Sequence, residues 1–185
     1  MTARQFDSML ARHCAPALAG IKSANMISVR EEAAGHLARL LAIYNKPLGR
    51  HGVRVEILCR YRTHTLVLVY RPGLLWSQLQ EENVQNFLAS LGYCRWESLD
   101  SLLCQLKERC ARHCIPHEIG LFLNYPLEDV IGFMEGGAPC KLCGYWKVYS
   151  DADFARMRFR QFTSCRETYC RLIESGGSVL HLFRA

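Results

Sequence analysis

The stretch VRVEILCRYRTHTLVLVY, residues 53 to 70, is the part of the sequence that decides the fold class. Between Val53 and Tyr61, apolar residues alternate with charged ones, which is typical of a strand with one solvated face. Residues 66–70 are apolar or aromatic throughout, which predicts a central strand covered on both faces. The polar residues 62–64 can turn the chain between the two. The stretch therefore predicts an antiparallel hairpin inside a larger sheet.

Apolar residues recur at helical spacing over most of the remaining chain. Helices are predicted over residues 4–19, 31–44, 74–91, after Ser98, and up to the Gly176-Gly177 pair, with residues 46–49 ending the second one. Further extended segments are predicted over 21–29, 145–149 and 179–183. We therefore expect an α/β or, more narrowly, α+β fold: a mixed sheet of about four or five strands covered by helices.

The bulk composition fits one globular domain spanning residues 1–185, because half of the residues are hydrophobic and 22% are charged. The apolar runs fall short of the roughly 18 residues that a membrane span needs. Charged residues also interrupt the first residues, which are therefore not typical of a signal peptide. We expect a cytoplasmic protein with no membrane partner, whose ten cysteines are mostly reduced thiols.

The net charge of +6 permits a nucleic-acid or other anionic partner without requiring one. A regulator binding nucleic acid through the predicted last helix is one hypothesis, because arginines are frequent there. Acidic residues dilute that charge, and no zinc-finger, helix-turn-helix or RNA-binding aromatic motif accompanies it. The sequence therefore disfavours a nucleic-acid partner. The arginines concerned are Arg156, Arg158, Arg160, Arg166 and Arg171.

The sharpest chemical motif in this cysteine-rich chain is the pair Cys140 and Cys143, followed by Gly144. Two thiolates at this spacing can hold zinc or iron, although either metal needs about four ligands. Cys165 is the first candidate for a further ligand, and the alternatives are Cys110, His113, Cys114, His117 and Cys170. The favoured hypothesis is thus a metal- or redox-cofactor-binding accessory protein with a redox partner protein. The structural alternative is a pair of loop thiols, with Cys165 packed in the core.

Another unusual stretch is PHEIGLFLNYPLEDVIGF, residues 116 to 133. Each polar residue has a structural explanation there; Asn124, for example, can take the left-handed conformation that ends a helix. The functional alternative is that His117, Tyr125 and Asp129 converge on the pocket of a small-ligand-binding protein or an enzyme. Nucleophile-elbow, phosphate-loop and dinucleotide motifs are all missing, so the sequence indicates no reaction.

Polar residues within apolar extended segments add candidates to this pocket. Lys22 and Asn25 lie in such a segment, and each needs a partner or a pocket mouth. Trp146 and Lys147 are weaker candidates, since aromatic residues at that spacing are more often core and alternation can direct Lys147 to solvent.

The motif series HEIGLFL, YP, DV and WKVY, with AGIKSAN and LVLVYR before it and Cys165 after it, resembles a bacterial family of unknown function found largely in anaerobes. The resemblance covers nearly the whole chain and implies one complete domain. It implies no activity. The family pattern has glycine where this chain has Asn124, and asparagine is the next-best residue for a left-handed backbone.

Overall fold

A computed structural model describes residues 1–30, 35–61, 63–112 and 115–183. Its helices are α1 Ala3–Leu18, α2 Leu37–Arg50, α3 Pro72–Leu79, α4 Glu82–Ser90, α5 Leu99–Arg112, α6 Ile119–Phe122, α7 Leu127–Glu135 and α8 Ala152–Glu174, followed by a 3₁₀ helix Val179–Phe183. Its strands are β1 Ala24–Arg30, β2 Arg54–Tyr61, β3 His64–Tyr70, β4 Leu142–Cys143 and β5 Lys147–Val148. The predicted α+β class is confirmed.

The predicted hairpin forms the middle of the fold. Strands β2 and β3 pair antiparallel, and β1 pairs antiparallel with the other edge of β3, so the order is β1-β3-β2. The prediction that residues 66–70 form a central strand is therefore confirmed. The register of β2 shifts between Ile57 and Cys59, which pair with Val67 and Leu66. This irregularity moves Cys59 to the opposite face of the sheet from Val55, which strict alternation could not predict.

Helices cover both faces of this three-stranded sheet. On one face, Leu66 and Leu68 pack with the apolar sides of α3 to α7. On the other face, Val67 and Val69 pack with α1, α2, the end of α8 and the final 3₁₀ helix. Alternating side chains of one strand thus belong to two cores, which is why the strand reads as continuously apolar.

A third, smaller core lies between the β4–β5 hairpin and α8. Trp146 and Val148 from the hairpin are buried against Ala155 and Phe162 of the helix. Gly144 permits this close approach, because a Cβ atom there would lie 2.2 Å from the Phe159 ring. The five strands of the described residues are divided between two antiparallel sheets, rather than forming the expected mixed sheet.

Several predicted element boundaries differ from the structure. Residues 179–183 form a 3₁₀ helix rather than a strand, because local hydrogen bonds and the Asp7 carboxylate satisfy their donors. Helix α2 continues through Pro47 to Arg50, and its Leu48 is fully buried. The start of the helix predicted over 31–44 lies outside the described residues. None of the helices that the structure describes combines the length and apolar composition needed to cross a bilayer.

Candidate functional site

The corner between α6 and α7 is tightly folded. Asn124 has a φ of 60°, which confirms the predicted left-handed conformation, and the Tyr125 N–H donates to the Gly120 carbonyl at 2.9 Å. A Cβ atom on Gly120 would lie 2.8 Å from Val130, so the corner has no room for a larger residue. This geometry directs the Tyr125 ring toward the β4–β5 hairpin, where it stacks on Trp146 with centroids 5.4 Å apart.

A pocket of about 300 Å³ opens beside this stacked pair. Three of the predicted ligand-binding residues, His117, Tyr125 and Asp129, line it together. The rest of its lining is mainly apolar and comes from the segment before α6, from α6 and α7, and from the hairpin. These residues are Ile115, Pro116, Ile119, Gly120, Val130, Phe133, Trp146 and Lys147.

Phe133 contacts both basic residues of the pocket, His117 and Lys147. The His117 ring meets it edge-on, with centroids 5.0 Å apart. The Lys147 ammonium lies over the same ring, 5.3 Å from its centroid. Sequence reasoning did not single out Phe133, because an apolar residue on a helix gives no local signal that it borders a cavity rather than a core.

Asp129 lines the pocket but has a structural role. Its Oδ1 accepts hydrogen bonds from the Tyr149 N–H at 2.7 Å, and from the Ser150 N–H and hydroxyl at 2.8 Å each. Its Oδ2 accepts the Trp146 indole N–H at 2.7 Å. The carboxylate is only 2% exposed, and both of its oxygens have donors. Asp129 therefore fastens the hairpin to α7 and is poorly placed to act as the acid–base partner of His117.

The adjacent residues His117 and Glu118 face different surroundings. Glu118 is buried, where its Oε1 accepts from the Arg109 guanidinium at 2.7 Å and from the Tyr93 hydroxyl at 3.3 Å. Burial, and then the Glu118 charge, raise the pKa of Tyr93. His117 instead lies exposed at the pocket. The His-Glu pair is thus one structural carboxylate and one pocket residue.

Lys22 and Asn25, the other two predicted ligand-binding residues, do not line this pocket. The Asn25 amide oxygen accepts the Ala17 N–H at 3.1 Å and so joins β1 to α1. The Lys22 ammonium lies over two aromatic rings, 4.9 Å from the Tyr125 ring centroid and 5.6 Å from that of Phe162. Asn25 therefore has a structural contact, while Lys22 packs on the Tyr125 ring, which lines the pocket.

The structure does not assemble the predicted metal site. Cys143 is exposed on β4, Cys140 is half-buried before it, and Cys165 is half-buried in the middle of α8. Within the described ranges, no three His, Cys, Asp or Glu side chains are grouped so that they could hold a metal ion. The alternative ligands His113 and Cys114 lie outside those ranges. The physical reason is that the hairpin docks on α8 through aromatic side chains, not through its thiols.

The arginines of α8 do not form a uniform basic face. Arg156 pairs with Asp153 at 2.7 Å. The Arg158 guanidinium lies over the Phe162 ring at 4.7 Å and donates to the Ile21 carbonyl at 2.6 Å. Two of the five are thus engaged within the chain, which weakens the basis for a nucleic-acid surface there.

Fold and pocket together define an α+β protein with a pocket lined partly by aromatic residues. A comparison with family models identifies the family: residues 10–183 match the model described as "Protein of unknown function (DUF3793)", and the chain belongs to that family. No curated protein and no solved structure matches the chain.

Proposed function

We propose that this protein binds a small, largely apolar molecule in the pocket between α6, α7 and the β4–β5 hairpin. The observation that carries the proposal is the convergence of His117, Tyr125, Phe133 and Trp146 on one concave space of about 300 Å³. A volume of this size is at the lower end of small-molecule sites, which are typically apolar with a few polar groups.

The contacts of the pocket residues favour binding over catalysis. The His117 ring contacts the Phe133 ring, and none of the salt bridges in the described part of the chain joins His117 to a carboxylate. Both oxygens of Asp129 already accept hydrogen bonds from the hairpin. A histidine acting as a general base usually needs an orienting partner, and the side chains around this one supply aromatic surface instead.

The test is a titration with N-phenyl-1-naphthylamine, an uncharged apolar probe whose fluorescence rises in an apolar site. We expect saturable binding to the wild-type protein. Phe133→Ala should weaken the affinity by roughly tenfold, because it removes part of the aromatic wall. The matched control is Met134→Ala, which truncates the next exposed apolar residue of α7, outside the pocket lining.

Two outcomes would contradict the proposal. One is the absence of saturable probe binding to the folded wild-type protein. The other is an equal effect of Phe133→Ala and Met134→Ala, because the probe would then be binding to general apolar surface rather than to the pocket.

A further inference from the structure

We infer that the ligand of this pocket is an organic acid, whose anionic group binds at Lys147 and His117 while its apolar body contacts Trp146 and Tyr125. This inference rests on the proposed small-molecule function and specifies its ligand class. It depends on where the charges of the pocket lie and which of them already have partners.

The ionisable residues in the described lining, apart from the Tyr125 hydroxyl, are His117, Asp129 and Lys147. Asp129 is 2% exposed and its carboxylate accepts hydrogen bonds from Trp146, Tyr149 and Ser150, so it offers a ligand little surface. Lys147 takes part in none of the salt bridges among the described residues. A ligand therefore meets the Lys147 ammonium and the His117 ring.

The two basic residues line the same pocket and contact the same aromatic ring. Both lie within 5.3 Å of the centre of the Phe133 ring, His117 at 5.0 Å and the Lys147 ammonium at 5.3 Å. Both are also exposed, so they lie at the mouth of the cavity rather than at its base. An anion bound there stays partly hydrated, which avoids most of the desolvation penalty of a buried ion pair.

The buried side of the pocket has the opposite character. Trp146 is 7% exposed, and the half-buried Tyr125 stacks on it. The Asp129 carboxylate is buried close to the Trp146 indole and repels an anion that enters deeply. The ligand is thus oriented with its acid group outward and its apolar body against the aromatic pair.

The experiment compares two probes that share a ring system and differ by one sulfonate group: uncharged N-phenyl-1-naphthylamine and anionic 1-anilinonaphthalene-8-sulfonate. We expect the wild-type protein to bind the sulfonate more tightly. Lys147→Gln should lower the ratio of the sulfonate affinity to the neutral-probe affinity by roughly fivefold, as expected for one partly exposed charged contact. The ratio should also fall as salt is raised from low to high ionic strength.

The matched control is Lys141→Gln, which removes a positive charge from the same hairpin segment. The Lys141 ammonium donates to the Ser150 carbonyl and does not line the pocket. We expect this variant to keep the wild-type ratio, and Lys147→Arg to retain most of it. These controls separate a local charge effect from a change in net charge.

Failure of this inference differs from failure of the proposed function. If both probes bind with equal affinity, and Lys147→Gln leaves their ratio unchanged, the acid-binding inference is wrong while small-molecule binding stands. If Lys141→Gln and Lys147→Gln lower the ratio equally, the sulfonate responds to net charge and the inference is again wrong. If neither probe binds, the proposed function itself is wrong.

Discussion

Lys22 is only 3% exposed, and its ammonium lies over the Tyr125 and Phe162 rings. Burial is the main reason why the pKa of Lys22 is lowered from 10.5 to about 8, and Arg158 lowers it further. The nearby Cys14 supplies little compensating charge at neutral pH, because burial raises the pKa of its thiol. At neutral pH the protein therefore buries an ammonium that would be better solvated in the unfolded chain.

Replacing Lys22 by methionine should stabilise the protein at pH 7. The pKa shift corresponds to about 3 kcal/mol at roughly 1.4 kcal/mol per unit, and the lost ring contacts offset part of it, so we expect a gain of about 1–3 kcal/mol. Between about pH 8 and 10.5 the unfolded chain binds the proton and the folded protein does not, so wild-type stability rises with pH relative to Lys22→Met.

The measurement is the free energy of unfolding in urea for both proteins from pH 7 to pH 10. The advantage of Lys22→Met should be full at pH 7 and should shrink steadily above pH 8. Lys46→Met, at an exposed position of α2, is the control and should show no such trend. A loss of stability in Lys22→Met at pH 7 would show that the aromatic contacts outweigh the cost of desolvation.

The sequence indicated which polar residues were candidates for the site, but it did not indicate which way their side chains point. His117 and Glu118 are neighbours, yet one lies at the pocket and the other pairs with Arg109 in the interior. Asp129 was a plausible acid–base residue until its contacts with the hairpin were known. Hydrogen-bond partners that are distant in sequence decide these roles, and local patterns do not encode them.

At the scale of elements, the β4–β5 hairpin depends on its fit against α8. The hairpin is only two residue pairs long, and a hairpin of this size is marginal by itself. Trp146 meets the Phe159 ring edge-on at 4.6 Å, and Gly144 lies directly against the same ring. The docking of the hairpin on the helix, rather than its own ladder, therefore holds one wall of the pocket in place.

Gly144→Ala should destabilise the protein by about 1–3 kcal/mol, because the new methyl group would overlap the Phe159 ring. Thermal unfolding measures the effect, and adding Phe159→Leu to Gly144→Ala should recover part of the loss. Gly137→Ala is the matched control, since a Cβ atom at that loop position meets nothing within 4 Å. Equal melting temperatures for the two alanine variants would contradict this packing.

At the scale of the whole molecule, the two main cores share the central sheet. Alternate residues of β3 project into opposite cores, so neither core can lose its packing without exposing the strand that both cover. Such a molecule should unfold in one cooperative transition.

This expectation can be tested with one leucine from each core. Leu10→Ala in α1 and Leu102→Ala in α5 should each lower the free energy of unfolding by about 2–5 kcal/mol, because both side chains are fully buried. Circular dichroism and tryptophan fluorescence should give coincident urea transitions for both variants. Leu10→Ala tests cooperativity more stringently, because the tryptophans lie outside the core that contains Leu10. Their fluorescence reports on that core only if both cores unfold together.

Leu182→Ala, at an exposed position, is the control and should change the free energy of unfolding by less than about 0.5 kcal/mol. If Leu10→Ala shifts the circular-dichroism transition but leaves the tryptophan transition unchanged, the two cores unfold separately.

The sequence by itself determined the local features of this protein: the central strand at 66–70, the helical periods and the left-handed corner at Asn124. These depend on backbone preferences and on the spacing of apolar residues, which short windows contain. Only the tertiary structure decided that the cysteines in the described part of the chain join no metal-ligand cluster, and that Phe133, Trp146 and Lys147 border the same space as His117. Those outcomes depend on how the hairpin packs on α8. That contact joins segments far apart in the sequence, so no short window of the sequence predicts it.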